Sequence, residues 1–576
     1  MFDSSDGIDP KLSDISELPP SLIVGMIAAS SVVLYLGTFW FEFVYDDVYQ
    51  VLDNPSISSW HYFWSYFTHP ILVTPYYRPV FSIWLRLNYA LFGLHPAGWH
   101  AASVLLHAIA VVMVYFFAGK LCESPIVAAL AATLFAVHPV HTENVAWVSG
   151  VCDPLMAIFF CGAFLCYLKT REGRHVRAWI ALALLFYALA LLSKEPAVVF
   201  PVVVAVHAFL YSEGACRQKV SAAIRHAGPF AALLAPYFWI RHIALPTLAP
   251  VLNNLSWRAL LLTQPSLLWF YLKELLWPVN LSVFHDLRPV QAPGFASFCL
   301  PALVLLSAVM ATFCWRRVCP ERARTILFLA LWTLVALSPA LYIRSFAPEE
   351  TVHDRYLYLP SVGFATLLAL ALEQLLLNQR LEAQRRWIVC GIAAALLGAC
   401  ALSLSQQTDW ASDLALYSHG VAVAPSNITA RNGLARVLTD RGDYAAAAPM
   451  FEEILRRQPD SWMADYNLGY IDYRVGRYPE AEFHLRRAIN GYANDSFFHL
   501  YLGLTCLREG KLDEAEAEIR RAIALRGDRV GQHLALSLLL EEKGDRAGAL
   551  QEARQEIVLA PTPAAWRRVA ALEDRR

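Results

Sequence analysis

The stretch Ser21–Asp47, SLIVGMIAASSVVLYLGTFWFEFVYDD, runs through an apolar span and ends on two adjacent carboxylates, Asp46 and Asp47. Ser21–Phe41 has the length of a membrane-crossing helix, which needs about 20 mostly apolar residues. A charge at mid-membrane costs roughly 2.5–3.5 kcal/mol on insertion scales, and less at the interface. The acidic pair therefore has two readings. It is an ordinary loop start, since acidic residues are common just outside a membrane, or it is a catalytic carboxylate held at the membrane surface.

The rest of the chain extends the membrane reading. Of its 576 residues, 57% are hydrophobic and 16% charged, and the mean hydropathy is +0.41. That composition predicts an all-α polytopic membrane protein. Apolar runs lie near Ser21–Phe41, Trp99–Gly119, Pro125–Val137, Pro154–Leu168, Ala178–Leu192, Pro196–Tyr211, Gly228–Leu245, Phe298–Trp315, Ile326–Ile343, Leu357–Leu377 and Trp387–Ser405, eleven in all. Polarity changes near Ser405, where about 170 residues rich in Arg and Glu begin. The expected domains are a cytoplasmic tail over 1–20, a membrane domain over 21–405 and a soluble domain over 406–576. Net charge is −1, which gives no footing for nucleic acid. The 11 cysteines show no metal or disulfide spacing, and several sit in apolar runs as small hydrophobes. Residues 1–20 are acidic, with no basic start or cleavage pattern, so the first span is read as an uncleaved anchor.

Positive charge sets an orientation. With the N-terminus in the cytoplasm, the inner loops collect Lys169, Arg171, Arg174 and Arg177, then Arg217, Lys219 and Arg225, then Arg316, Arg317, Arg322 and Arg324. This requires Leu260–Leu281, with Lys273, Glu274 and two prolines, to be re-entrant or to lie along the outer surface. The C-terminal domain is then outside. Asp46, Asp47, Arg78, His138, His141, Glu143, Asp153, Lys194, Glu195, His353, Asp354 and Arg355 all fall at outer helix ends or in outer loops. A one-sided cluster of acid, base and imidazole points to a site on that face.

The soluble part is periodic. Gly442, Gly476, Gly510 and Gly544 stand 34 residues apart, as do Ala447, Ala481, Ala515 and Ala549. Leu434-Ala435, Leu468-Gly469 and Leu502-Gly503 recur with them. This is the tetratricopeptide pattern of helix pairs, with small residues at the crossing and glycine in the turn. Pro425 and Pro459 extend the period backward, so Trp410–Ala424 reads as a half-repeat. Stacked pairs make a superhelix with a concave face, which serves as a scaffold or as a groove for a polypeptide.

Taken in order, several motifs form one set: Phe43-Val44-Tyr45-Asp46-Asp47, Tyr77-Arg78-Pro79, Leu87-Asn88-Tyr89-Ala90-Leu91-Phe92-Gly93, His138-Pro139-Val140-His141-Thr142-Glu143, Ser193-Lys194-Glu195, and Arg355-Tyr356-Leu357-Tyr358-Leu359-Pro360-Ser361. Followed by tetratricopeptide repeats, they resemble the transmembrane and tetratricopeptide-repeat family of O-mannosyltransferases and its bacterial relatives. These belong to the GT-C class of lipid-phosphate-sugar-dependent glycosyltransferases. Two departures stand out. Members often carry Gly-Arg-x-Asp where this chain has Gly150-Val151-Cys152-Asp153, and Glu where it has Asp354.

The resemblance implies a polyprenyl- or dolichyl-phosphate sugar as donor, with mannose favoured, and an acceptor hydroxyl. Inverting transfer needs a carboxylate to take the acceptor proton, for which Asp46 or Asp47 is placed. Asp46, nearer the helix end, is expected to be the more rigidly held base. The leaving phosphate needs cations, and Arg78, Lys194 and Arg355 are the candidates; each is alternatively a snorkelling interface residue. His138, His141, Glu143, Asp153, Glu195 and His353 are supporting polar residues. No metal is assigned, although His138, His141 and Glu143 have spacing that a divalent ion would accept. The expected partners are the membrane, a lipid-linked sugar and a protein acceptor gripped by the repeats. A membrane-anchored scaffold with a non-catalytic membrane half is the other reading. The setting is a bacterial inner membrane with periplasmic repeats, or the endoplasmic reticulum with luminal ones.

Overall fold

The computed structural model describes residues 19–71, 76–245 and 251–574. All but the last two residues of the N-terminal tail expected over 1–20 lie outside the described residues. The described chain is α-helical and contains no strand. It divides into two compact units, Met1–Ala424 and Pro425–Arg576.

In the first unit proline opens one helix after another: Pro20–Tyr35, Pro79–Phe92, Pro96–Cys122 and Pro125–Val137. The first turn of a helix has no use for the missing N–H, and the ring presets φ. Among the described residues, eight helices are long and apolar enough to cross a membrane, nine if one bent pair counts as a single span. The chain is a membrane protein. Three of the eleven apolar runs differ from the other eight. Pro125–Val137 joins Pro139–Ala146 at a 55° bend. Glu195–Tyr211 is shorter than a span. Cys216–Ala244 has the length, 29 residues, but carries two internal prolines and is not among the eight. Leu260–Leu281 is a 20-residue helix, Trp257–Leu276, and is not among the eight.

The core of this unit is aromatic. Trp332, 1% exposed, is ringed by Phe117, Phe160 and Phe164 at centroid distances of 4.7, 5.4 and 5.4 Å. Its indole N–H donates to the Leu359 carbonyl at 3.1 Å. Gly363 allows this approach, since a Cβ there would lie 2.6 Å from Trp332 Cδ1 and 2.9 Å from the Leu329 carbonyl. The helix Asp413–Val423 belongs to the first unit, so the division falls after Ala424 where the polarity change had suggested Ser405. Polarity alone missed it because this helix is held by specific polar bonds. Asp413 Oδ1 accepts the Tyr45 N–H at 2.8 Å, and His419 Nε2 lies 2.8 Å from the Leu281 carbonyl.

The second unit contains four helix pairs, from Ile428–Asp440 with Tyr444–Arg457 to Gln532–Glu542 with Arg546–Leu559, followed by a closing helix, Pro563–Glu573. The four period glycines have φ of +80°, +86°, +76° and +83°, a left-handed conformation that costs an ordinary residue a Cβ clash. A second 34-residue period is visible only in space. Asp465 meets His484 at 2.8 Å, His499 meets Glu518 at 2.6 Å, and His533 meets Glu552 at 2.6 Å. Each pair ties the two helices of one repeat, and the acid and imidazole exchange helices after the first.

Gly503 is the crossing residue of the third pair. A Cβ there would lie 2.6 Å from Ile519 Cγ1 and 3.1 Å from the Ala515 carbonyl. Backbone cannot yield as a flexible side chain can, so Gly503→Ala overpacks the crossing. It should destabilise the repeats by about 1–3 kcal/mol, read as a lower midpoint in thermal melting followed by circular dichroism. An unchanged midpoint would mean that the crossing relaxes freely.

Candidate active site

The acidic pair sits in a loop after the first span, and its two members face different surroundings. Asp47 is fully buried. Its Oδ1 accepts the Ser149 N–H at 2.9 Å and the Ser149 hydroxyl at 2.5 Å, and its Oδ2 accepts the Val44 N–H at 3.3 Å. Burial pushes its carboxyl up to about 7, against the pull of these three bonds. Tyr45, just before the pair, has φ of +58°. A bulky residue in that region is a strained backbone site, and it is held by the Asp413 carboxylate below its N–H.

Asp46 is half-buried and accepts no side-chain hydrogen bond among the described residues. It lines a cavity of about 450 Å³. Burial raises its carboxyl above the ordinary range, while Arg355 and Arg78 pull it down. The sequence expected Asp46 to be the more rigidly held of the two. The structure reverses this, because the three donors all converge on Asp47.

Four cations line the same cavity: Arg78, Lys194, Arg241 and Arg355. Arg78 caps the helix Pro79–Phe92, and its Nε and Nη2 lie 3.0 and 2.8 Å from Glu195 Oε2. Glu195 also faces Arg241 Nη1 at 3.5 Å. Despite burial, the Glu195 charge holds the Arg78 guanidinium above its ordinary value. Lys194 Nζ lies 2.5 Å from Asp153 Oδ2, which Asn144 also bonds at 2.9 Å. Burial lowers the Lys194 ammonium, and Asp153 opposes that shift. Arg355 donates its N–H to Glu143 Oε2 at 3.0 Å and Nη1 to Oε1 at 2.5 Å. Its guanidinium lies 5.4 Å from the Trp147 and Tyr356 ring centres. Asp46, Asp153 and Glu195 are the carboxylates on the wall, against the four cations. The lining also carries apolar side chains, among them Phe238, Ala336, Pro339, Phe346 and Leu359.

The histidines stand apart from this cavity. His138 Nε2 lies 3.0 Å from the Leu275 carbonyl, and its Nδ1 accepts the Val140 N–H at 3.2 Å. His141 lies 2.8 Å from the Phe135 carbonyl and 2.9 Å from Ser361 Oγ. Both rings therefore brace the bend at Pro139, which forces His138 into extended backbone. Each has both nitrogens engaged, so neither has one to offer a metal beside Glu143. His353 is bonded to the Val283 carbonyl at 3.1 Å, and burial holds it well below its ordinary value. The two departures from the motif set are both accommodated. Val151 is fully buried in an apolar cluster with Trp99 and Val148. Asp354 reaches the Ser282 N–H at 2.7 Å and His285 Nε2 at 2.9 Å.

Sequence reasoning missed Ser149 and Arg241. Ser149 had a signal, standing beside Gly150. A Cβ at Gly150 would lie 2.7 Å from the Glu143 carbonyl, so this turn is closely packed. Arg241 looked like a basic helix end and had none.

The cavity can therefore hold an anionic group beside one carboxylate open to a substrate, with room for an apolar chain. The chain is similar to known proteins. A family model described as dolichyl-phosphate-mannose-protein mannosyltransferase matches residues 69–240. A tetratricopeptide-repeat model matches 432–497 and 473–530. Human protein O-mannosyl-transferase TMTC4 is 29% identical over 494 residues, covering 75% of this chain and 66% of its own. Mouse protein O-mannosyl-transferase TMTC3 is 26% identical over 527 residues, covering 82% and 55%. A thermophilic tetratricopeptide protein from Thermus thermophilus is 24% identical with a TM-score of 0.25, covering 30% of this chain and 93% of its own. The chain thus spans between 55% and 66% of the two curated relatives' length.

Asp47 carries a pH signature. Its carboxyl moves from an ordinary 3.8 to about 7 on folding. Between these values the folded chain keeps a proton that the unfolded chain has lost, so stability falls as pH rises through that window. Asp47→Asn removes the titration. The melting temperature of the variant should therefore fall less than that of wild type from about pH 4 to about pH 7. Parallel curves would mean that the buried carboxyl keeps its ordinary value.

Proposed function

We propose that this chain, which belongs to the tetratricopeptide-repeat-containing family of GT-C O-mannosyltransferases, transfers a sugar from a polyprenyl- or dolichyl-phosphate donor to hydroxyl groups of an extracytoplasmic protein. Mannose is the sugar that the similarity favours. The observation that carries the reading is the mixed lining of one cavity, where Asp46 and four cations stand together with apolar side chains. The charged part of the lining suits the sugar phosphate and the apolar part the lipid chain.

In this reaction the acceptor oxygen attacks the sugar C1 while the bond from C1 to the phosphate oxygen breaks. The hydroxyl proton goes to Asp46, which is open to the cavity, and the lipid phosphate leaves with the bonding pair. Arg78, Lys194, Arg241 and Arg355 hold that anion, arginine by its fork and lysine as a point charge. Asp47 acts through Asp46 by fixing the loop, and is a positioning residue. His138, His141 and His353 brace the surrounding backbone. Four cationic side chains supply the donors that hold the leaving group, so the reading calls for no resident divalent ion. The repeats grip the acceptor, using half-buried aromatic rings such as Tyr466, Tyr470 and Tyr501, with Tyr470 and Tyr501 4.9 Å apart. The periplasmic face of a bacterial inner membrane and the luminal face of the endoplasmic reticulum are both suitable settings. A non-catalytic scaffold would have no need for an open carboxylate facing four cations.

The base assignment has a direct test. Asp46→Asn is nearly isosteric and should leave donor binding in place while lowering transfer about 10²–10⁴-fold. In wild type the acid limb of the rate profile should lie above the ordinary carboxylate range, because burial raises Asp46. Full transfer by Asp46→Asn would remove it from the chemistry.

Arg78→Ala, Lys194→Ala and Arg355→Ala should each weaken donor binding about tenfold to a hundredfold, the worth of one charge-assisted hydrogen bond. Chelation with EDTA should leave the wild-type rate unchanged. A rate abolished by EDTA and restored by a divalent ion would replace the cations with a metal as the group that holds the phosphate.

A further inference from the structure

Arg86 stands outside everything used so far. It lies on the helix Pro79–Phe92, two turns beyond Arg78, and does not line the cavity. It is 8% exposed. Its Nε and Nη1 are enclosed and have no acceptor. No carboxylate pairs with it among the described residues. What it has is aromatic: its guanidinium carbon is 4.7 Å from the Trp60 ring centre and 6.0 Å from that of Tyr89. An enclosed guanidinium loses far more hydration than a cation–π contact returns. Every other cation described near this loop has a carboxylate, so Arg86 calls for an anion from outside the chain.

The surroundings say which kind. The helix is 14 residues long, too short to cross a membrane. Beside Arg86 it exposes Leu87 at 45% and, one turn on, Leu91 at 73%. Trp60 opens the short helix Trp60–Phe67, whose Trp64 is 77% exposed. Both helices follow the first span and its exposed Trp40. Leucines beside tryptophans form the pattern of a surface lying in the bilayer interface, where the rings sit at headgroup level.

We propose that Arg86 and Trp60 form a binding site for the headgroup of an anionic phospholipid, separate from the cavity. The lipid phosphate meets the guanidinium of Arg86 at Nη2, the nitrogen that is not enclosed, Trp60 covers the guanidinium face, and the acyl chains run along Leu87 and Leu91. The site would seat the loop that carries Asp46 against the membrane. It does not depend on the transfer reaction proposed above.

Native mass spectrometry of the full chain in detergent tests this, titrating phosphatidylglycerol against phosphatidylcholine of the same chain length. Wild type should bind one phosphatidylglycerol about tenfold more tightly than phosphatidylcholine, the worth of a charge-assisted bond. Arg86→Gln should lose that preference. Arg86→Lys should keep part of it, since charge remains but the fork does not. Trp60→Leu should weaken it and keeps the test decisive if Arg86→Gln does not fold. A preference that survives in Arg86→Gln would place the lipid on the cavity cations and overturn the proposal. So would equal affinity for the two lipids in wild type. Displacement of phosphatidylglycerol by millimolar inorganic phosphate would assign the site to free phosphate instead of lipid.

Discussion

Charges taken out of water must be matched, and around this cavity the matching organises the fold. Arg78 meets Glu195 across 117 residues, Lys194 meets Asp153 across 41, and Arg355 meets Glu143 across 212. Each pair ties together segments that helix packing alone would leave free to slide. Leaving one partner buried alone costs about 3–5 kcal/mol, so the pairs hold register even where their net contribution to stability is small. They also set the electrostatics of the cavity. With Arg78, Lys194 and Arg355 each paired to a carboxylate, the site is not a bare positive hole that would bind any anion. An arriving phosphate has to share donors with carboxylates that are fixed in place, and a ligand that also suits the apolar part of the lining gains more from doing so.

The same constraint divides the labour of the acidic pair. Two adjacent carboxylates cannot both be buried and charged without donors. The three hydrogen bonds go to Asp47, which ties the loop to the turn at Ser149. Asp46 is left facing the cavity. The backbone conformation of Tyr45 makes this split, since a left-handed residue redirects the chain and sends the next two side chains to different sides. The strain is offset by the Asp413 bond to the Tyr45 N–H. A helix that looked like a leading half-repeat thus has a structural role beside the acidic pair.

Much of this was legible in the sequence because it rests on patterns with short range. The apolar runs, the prolines at helix starts and the glycines every 34 residues each have a local cause. The motif residues that gather at the cavity, Asp46, Arg78, Asp153, Lys194, Glu195 and Arg355, were found by their unusual position at helix ends. The surroundings of each residue within the cluster were not legible. His138 and His141, expected as supporting polar residues, flank Pro139, and both lie against carbonyl oxygens. Arg241 carried no signal at all, because a basic residue at the end of a long helix is ordinary until the fold brings Glu195 to it.

The repeats show the opposite limit. Alignment at 34 residues finds glycine and alanine because those positions demand one shape. It does not find the imidazole–carboxylate pairs, because the order of the two partners changes. Asp465 lies on the first helix of its repeat and His484 on the second, whereas His499 and His533 are on first helices and Glu518 and Glu552 on second ones. Read one position at a time, the pattern is a mixture of acid and base. Read as pairs, it is constant, with the same bridge at 2.6–2.8 Å in three successive repeats. In the middle one the bond to Glu518 raises His499 above its ordinary value, so the imidazole leans towards its charged form and the bridge towards an ion pair. What repeats at these positions is an interaction and not a residue, and an interaction can be carried by either order of its partners.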